Sequence, residues 1–160
     1  MINGLQKIGT IVFWAAWPFW FVYFKVNHRR SRVLVIADGK VLLLKGWLSS
    51  GKWGLPGGGA ARAETPAAAA VRELHEEAGI LAAGPALCPL GRRRHSQAGL
   101  GYTASYFLLE LQAVPALHLR WYEIASAAWV PLGETKQLQL GQDVQYALKK
   151  YRLLTQPTLL

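Results

Sequence analysis

Hydrophobic and polar positions divide the chain into an apolar N-terminal run and a longer patterned region. Residues 8–24 form seventeen consecutive uncharged positions, bounded by Lys7 and Lys25. A helix of that length spans roughly 25 Å, at the short end of the transmembrane range, and Pro18 would kink it. We expect a membrane anchor. The alternatives are an apolar helix packed on the domain or at an oligomer interface, and a cleaved signal peptide is disfavoured because no small-x-small site follows.

The charges that flank the run predict its orientation. Four basic residues follow it and only one precedes it: Lys25, Arg29, Arg30 and Arg32 after, Lys7 before. The positive-inside rule then predicts a single-pass protein of the inner (cytoplasmic) membrane whose downstream domain faces the cytoplasm, with a cytoplasmic protein as the alternative. The single cysteine, Cys88, excludes an intrachain disulfide and fits a reducing compartment.

Downstream of the run, the pattern predicts one mixed α/β domain over residues 32–154, between an N-terminal segment (1–31) and a short tail (155–160). Short apolar runs typical of strands are interspersed with segments whose apolar residues recur every three or four positions, as in amphipathic helices. We expect strands over 33–37, 40–45, 86–90, 102–111 and 129–132, helices over 65–78 and 143–154, a tight turn at Asp38-Gly39, a short helix from Glu134, and a basic loop over 91–101.

The first predicted helix has clear boundary signals. Thr65 is a favourable N-cap, Pro66 suits the first helical position and Gly79 suits the C-terminal end. Val71, Leu74 and Ala78 share one face, which we expect to face the core.

A different face of the same helix carries Glu73, Glu76 and Glu77. Like charges at this spacing weaken a helix by a few tenths of a kcal/mol per pair, so a solvated acidic face is the simple interpretation. The chain as a whole is basic, with 18 Lys+Arg against 9 Asp+Glu and a net charge of +9, yet four of its nine acids, these three and Glu64, fall within fourteen residues. This concentration predicts a cation site, and the basic excess favours an anionic partner.

A glycine-rich loop over residues 53–59 leads into this helix, and together they resemble the Nudix family. Gly58, five residues, Glu64, seven residues and then Arg72 to Ile80 (RELHEEAGI) meet every defined position of the Nudix box. The resemblance extends more weakly over residues 32–154 and does not include the apolar run.

The resemblance implies a fold, a cofactor and a set of site residues. The fold is an α/β/α sandwich around a mixed sheet, and the cofactor is Mg²⁺ or Mn²⁺. Matched by position, the metal ligands are Glu73, Glu76 and Glu77, with the carbonyl of Gly58 as a further ligand. Arg72 orients a carboxylate, Glu64 is an accessory acid, and His75 is a surface residue with no assigned role. The implied reaction is hydrolysis of a nucleoside diphosphate linked to another group X, by attack of water on phosphorus.

Residues outside the box supply the remaining candidates. Glu123 is the best-placed external general base or extra ligand, with Glu110 weaker, and a box glutamate remains an alternative. Arg92, Arg93 and Arg94 are candidates to bind substrate phosphates, although a solvated basic loop or contact with acidic lipids explains them equally well. The aromatic residues able to stack a nucleobase are Trp47, Trp53, Trp121 and Tyr122, although packing is the more common role for each one singly.

Three functions remain open at this point. The intact box favours a metal-dependent pyrophosphohydrolase. A non-catalytic nucleotide-binding or regulatory module would usually have lost a box carboxylate. The apolar run alone suggests a membrane-tethered hydrolase of a lipid-linked or CDP-alcohol diphosphate. We expect no nucleic-acid partner, since a cap-removing activity fits the charge but no feature of the chain indicates RNA.

Overall fold

The computed structural model describes residues 29–47, 49, 51–97 and 100–155. Five strands and two helices make up this region. The strands are β1 (Arg29–Ala37), β2 (Lys40–Gly46), β3 (Cys88–Gln97), β4 (Leu100–Leu111) and β5 (Ile124–Pro131), and the helices are α1 (Pro66–Ala78) and α2 (Gln142–Thr155). Two short 3₁₀ helices cover Gly84–Ala86 and Glu134–Gln137.

The strands form one mixed sheet in the order β3-β4-β1-β2-β5. β1 pairs in parallel with β4 along its whole length, whereas the other pairs are antiparallel. Side chains alternate between the two faces of each strand. Val33 and Val35 therefore pack with α1 on one face, and Leu34 and Ile36 pack with α2 on the other. The result is the expected α/β/α arrangement with two apolar cores.

Local signals predicted several elements correctly. The Thr65 side chain accepts a hydrogen bond from the N–H of Ala68, and Gly79 ends α1 in a left-handed conformation. The Asp38-Gly39 turn joins β1 to β2, and both turn residues have positive φ. Helix α2 and the short helix at Glu134 are also confirmed.

The predicted basic loop over 91–101 is wrong. Arg92, Arg93 and Arg94 lie within β3, which pairs with β4 up to Gln97 and Leu100. The predicted strand over 86–90 is misplaced, because β3 begins only at Cys88. Charged side chains are tolerated on this strand because it is at the edge of the sheet, where one side of the ladder is open. By contrast, β1 and β5 begin earlier than predicted, at Arg29 and Ile124.

The glycine-rich segment before α1 lies between β1 and β2. Those two strands pair directly only next to their turn, at Ile36–Val41 and Ala37–Lys40. Further from the turn the segment takes the place of a strand. The N–H of Ser31 donates to the carbonyl of Gly58 at 2.9 Å, and the N–H of Leu44 donates to the carbonyl of Gly54 at 3.0 Å. The loop is therefore held from both sides at the position where α1 begins.

The predicted membrane span over residues 8–24 lies outside the described residues. Within the described part of the chain, neither helix has the length and apolar character needed to cross a bilayer.

Gly57 is the residue on which the position of this loop depends most. Its φ is +133°, and a Cβ there would lie 2.1 Å from the Ser31 carbonyl oxygen. We expect Gly57→Ala to lower the free energy of unfolding by more than about 2 kcal/mol, because strain adds to a backbone clash. Gly133→Ala is the matched control, since φ there is −66° and no atom lies within 4 Å of the added Cβ. Urea unfolding followed by circular dichroism measures both, and equal stability of the two variants would contradict this account.

Candidate active site

Glu77 is the most enclosed carboxylate of the site. Its Oε2 accepts a hydrogen bond from the N–H of Gly57 at 2.7 Å, which joins the end of α1 to the glycine-rich loop. Burial raises the pKa of this carboxyl to about 7, although the Gly57 N–H and the charge of Arg32 act in the opposite direction. The negative charges of Glu73 and Glu123 raise it further. The structure thus holds a carboxylate whose negative charge is poorly compensated.

Glu73 lies directly against the loop backbone. A Cβ at Gly58 would lie 2.5 Å from the Glu73 carboxylate, so only glycine leaves room for this approach. Burial raises the pKa of Glu73, and its ion pair with Arg72 opposes that rise. The backbone of Gly57 and Gly58 is therefore in contact with both acid side chains.

Arg72 binds the carboxylates together. Its Nε and Nη2 donate to the two oxygens of Glu64 at 2.9 and 3.0 Å, and its Nη1 donates to Glu73 at 2.8 Å. Nη1 also reaches Glu76 at 3.3 Å, and Nη2 donates to the carbonyl of Gly59 at 2.9 Å. These bonds hold the pKa of Glu64 below its usual range and raise that of Arg72. The two-oxygen contact with Glu64 fixes the plane of the guanidinium.

Arg120 is a site residue that the sequence did not reveal. Its Nη2 lies 2.9 Å from Glu76 and its Nη1 lies 3.3 Å from Glu123. The segment before β5 is positioned for this by hydrogen bonds from the N–H groups of His118 and Arg120 to the carbonyls of Ala78 and Glu77. Glu123 is 48% exposed, and Arg120 links it to the carboxylate helix.

Arg32 is a second basic residue that sequence reasoning missed. It projects from β1, donates a hydrogen bond to the carbonyl of Gly57 and lies 3.6 Å from Asp143 at the start of α2. Its charge lowers the pKa of both Glu73 and Glu77. The sequence around Arg32 did not indicate this role, because the loop residue that Arg32 contacts lies 25 residues later in the chain.

The three box glutamates do not converge on one point in this arrangement. Glu77 bonds to the loop, Glu73 to Arg72, and Glu76 to Arg72 and Arg120. Accordingly, the described residues contain no group of three or more His, Cys, Asp or Glu side chains close enough to hold one ion. The donor type nevertheless suits Mg²⁺ or Mn²⁺, which prefer carboxylate and carbonyl oxygens. The carbonyl of Gly58 already accepts the Ser31 N–H and retains a second lone pair.

Within the described part of the chain, the remaining candidates take no part in this network. Arg92, Arg93 and Arg94 are exposed on β3, and no hydrogen bond or ion pair within the described region joins them to the box glutamates. Glu110, near the end of β4, accepts a hydrogen bond from Tyr151 of α2 at 3.4 Å. His75 is exposed on α1, as expected.

Three of the four aromatic candidates cluster beside Arg120 and are exposed rather than packed. The exposed fractions are 68% for Trp47, 77% for Trp121 and 59% for Tyr122. The indole N–H of Trp47 donates to the carbonyl of Trp121 at 3.0 Å, and the rings of Trp121 and Tyr122 meet edge to face at 5.7 Å. Arg120 lies 5.6 Å from the centre of the Tyr122 ring. Trp53, the fourth, is partly buried and stacks with Lys45.

Comparison with known proteins identifies the family. The NUDIX domain model matches residues 27–151, and none of the curated proteins matches the sequence. Among solved structures, a MutT NUDIX hydrolase from Burkholderia pseudomallei is 25% identical, with a TM-score of 0.67, covering 76% of this chain and 95% of that one. An Ap4A hydrolase from C. elegans in a binary complex is 19% identical (TM-score 0.67; 79% and 96% covered).

A third structure is the NUDIX domain of Shewanella oneidensis NrtR complexed with ADP ribose, at 20% identity (TM-score 0.69; 80% and 88% covered). The last two likenesses concern the fold alone. The family match covers most of the described residues and includes the complete box. The chain therefore belongs to the Nudix family, and it is a hydrolase.

The raised pKa of Glu77 makes a testable contribution to stability. Between pH 4.5 and about 7 the folded protein retains a proton that the unfolded chain has lost, so stability falls as pH rises through this window. Glu77→Gln carries no such proton. With EDTA present, we expect its free energy of unfolding at pH 8 to exceed that of wild type by on the order of 1–3 kcal/mol, which appears as a higher melting temperature, and we expect the difference to vanish near pH 4.5.

Thermal melts at several pH values measure this difference. Glu134→Gln is the control, since it removes one exposed carboxylate on a 3₁₀ helix away from the site. A stability difference for Glu77→Gln that does not change with pH would show that its carboxyl is not destabilised by burial.

Proposed function

We propose that the protein hydrolyses the diphosphate bond of a nucleoside diphosphate linked to another group X, in a reaction that depends on Mg²⁺ or Mn²⁺. The observation that supports this most directly is the pairing of Glu73 and Glu77 with the glycine backbone of the loop. Two partly buried carboxylates with raised pKa values face the loop backbone: a Cβ at Gly58 would meet Glu73, and the N–H of Gly57 donates to Glu77. Carboxylate and carbonyl oxygens in such proximity are the ligands that a hard divalent cation prefers.

The proposed ligands are Glu73, Glu76 and Glu77, with the carbonyl of Gly58. When bound, a divalent cation neutralises charge on the phosphate oxygens and so favours attack by water. Arg72 orients Glu73 and Glu76, and Glu64 in turn fixes the guanidinium of Arg72. Loss of the contact between Glu64 and Arg72, or of those between Arg72 and the two ligand glutamates, would therefore displace carboxylates that bind the same ion.

The proton acceptor for the attacking water is either a box glutamate or Glu123. Glu77 accepts a hydrogen bond from the loop at the end of α1, and it is the box glutamate to test as the base. Glu123 is half-exposed and lies beside Arg120, so its carboxylate is accessible from the solvent side of the site. The pH dependence of kcat in Glu123→Gln separates the two, because loss of the base removes the acidic limb of the profile.

The nucleoside end of the substrate is proposed to lie near Trp47, Trp121 and Tyr122. Exposed aromatic rings offer stacking worth about 1–3 kcal/mol per base, and Arg120 supplies a positive charge next to them. Similar folds occur in an Ap4A hydrolase and in a domain complexed with ADP ribose, so adenine-containing diphosphates are the first compounds to test. The excess of basic residues favours any such anion.

Kinetics of four variants test the mechanism. We expect Glu77→Gln and Glu73→Gln to lower kcat by at least about a hundredfold, since each removes one charge and one strong oxygen donor. Glu64→Gln should cost about tenfold, because it acts through Arg72. His75→Ala should remain near wild type. The assay follows turnover of nucleoside triphosphates, ADP-ribose, NADH, dinucleoside polyphosphates and CDP-alcohols, with Mg²⁺ or Mn²⁺ and with EDTA.

The same screen distinguishes an enzyme from a binding module. Binding of ADP-ribose without turnover of any compound, with either metal, would replace hydrolysis with a regulatory role. A preference for CDP-alcohols would favour the membrane-tethered hydrolase. A folded Glu77→Gln variant with near-normal turnover would contradict the proposed metal site.

We further propose that residues 8–24 attach the protein to a membrane with the hydrolase domain on the cytoplasmic side. The support comes from the sequence: the seventeen uncharged residues and the basic residues that follow them.

Cell fractionation tests this attachment. We expect the full chain to sediment with membranes and to resist extraction by high salt, since apolar burial does not depend on ionic strength. A version starting at Asn27 retains all of β1 and the matched family region, and should be soluble and active. Full-length protein in the soluble fraction without detergent would refute the anchor.

A further inference from the structure

A groove lies at the N-terminal end of α1, whereas Glu76 and Glu77 lie near its C-terminal end. It consists of two adjoining cavities of about 50 and 320 Å³. Both are lined by Pro66, Ser105 and Arg92, so they lie side by side between the N-terminus of α1 and the sheet. About ten helical residues, or ~15 Å, separate this end from Glu77.

One row of side chains forms the floor of the groove. Ser31, Ser105 and Arg92 lie opposite one another on β1, β4 and β3. The hydroxyl of Ser31 donates to the carbonyl of Pro66 at 2.7 Å, which shows that this row faces α1. The next row on the same face continues with Arg29 and Thr103, which line the smaller cavity.

Ser105 distinguishes this groove from an ordinary surface recess. The residue is only 8% exposed and lines both cavities. Its hydroxyl forms no hydrogen bond with any described residue. The hydroxyl oxygen is not among the fully buried, partnerless side-chain atoms of the described residues, so it is open to the groove and can donate to a ligand with hydrogen-bond acceptors.

The charges around Ser105 indicate what that ligand carries. No described carboxylate forms an ion pair with Arg29 or Arg92. The N-terminus of α1 adds partial positive charge, and its first turn contains no acid. The N–H of Ala67 has no intrahelical partner because it lies in that turn. Two guanidinium groups, the hydroxyls of Ser105 and Thr103 and a helix N-terminus together are the groups that bind a phosphate in proteins.

The larger cavity has a different character. Pro89, Phe107 and Ala67 line it, and about 320 Å³ is the lower end of the range of small-molecule pockets. A bare inorganic ion would leave this space unused. An apolar or aromatic body attached to the phosphate would fill it.

We propose that this groove is a second binding site, separate from the carboxylate site, for the phosphate of a small phosphate monoester with an apolar or aromatic body. The phosphate lies between Arg92, Arg29 and Ser105, and the body lies against Pro89 and Phe107. The site needs no divalent cation, because its positive charge comes from arginine and the helix.

Calorimetric titration of the full chain in EDTA tests the proposal, with phenyl phosphate and inorganic phosphate as probes. We expect phenyl phosphate to bind more tightly than inorganic phosphate. Arg92→Gln should lower the affinity for phenyl phosphate roughly tenfold, and Ser105→Ala should lower it severalfold. Arg93→Gln is the matched control: it removes the same charge from the next residue, whose side chain is on the other face of β3, over Tyr146. It should bind as wild type does.

The outcomes separate this site from the proposed catalytic one. Binding that survives in Glu77→Gln and depends on Arg92 supports the groove even if the protein hydrolyses none of the tested diphosphates. Equal weakening by Arg92→Gln and Arg93→Gln would reduce the effect to general charge and overturn the proposal, as would the absence of binding at millimolar phenyl phosphate. Arg92 is exposed, so its replacement does not threaten folding. A soluble short-chain phosphatidic acid is the third probe, and tighter, Arg92-dependent binding of it would support the site with a lipid headgroup as the source of the phosphate.

Discussion

The guanidinium of Arg72 is the contact on which the rest of the site depends. Three glutamates on one face of a short helix repel one another, and Glu73 and Glu77 are also partly removed from water. Arg72 offsets the repulsion between Glu73 and Glu76 and the partial burial of Glu73, because it donates to both, to Glu64 and to the carbonyl of Gly59. Loop and helix are therefore joined by a rigid, charged plane instead of by apolar packing alone. The acids remain close enough to act together, which is the condition that cation chemistry requires.

Much of this arrangement was predictable because its signals are local. The cap at Thr65, the left-handed Gly79, the tight turn at Asp38 and the stripe of Val144 and Leu148 each depend on residues within one or two turns of chain. The box glutamates were recognisable because helical spacing places them on one face. Their family membership followed from the spacing of defined positions, without any knowledge of tertiary contacts.

The parts that escaped prediction all depend on distant partners. Arg120 meets Glu76 across more than forty residues, and Arg32 meets Gly57 and Asp143 from the far side of the loop. No local pattern distinguishes either arginine from a solvated one. The basic stretch at Arg92 to Arg94 has no apolar pattern and was therefore predicted as a loop. An edge strand does not require such a pattern, because one side of its ladder is open to solvent. The aromatic cluster of Trp47 and Trp121 likewise exists only because the segment before β5 returns to the end of β2.

The parallel pairing of β1 with β4 has a consequence for when the site can exist. Arg29 pairs with Thr103, 74 residues later in the chain, whereas β1 shares only two residue pairs with its neighbour β2. During synthesis, β1, the glycine-rich loop and α1 all leave the ribosome before β4 does. Until β4 arrives, β1 lacks the ladder that keeps it extended, and the loop has no fixed edge to bond. Assembly of the carboxylate cluster is thus tied to one late, non-local pairing, so that a nascent or locally opened chain has the acids but not their geometry.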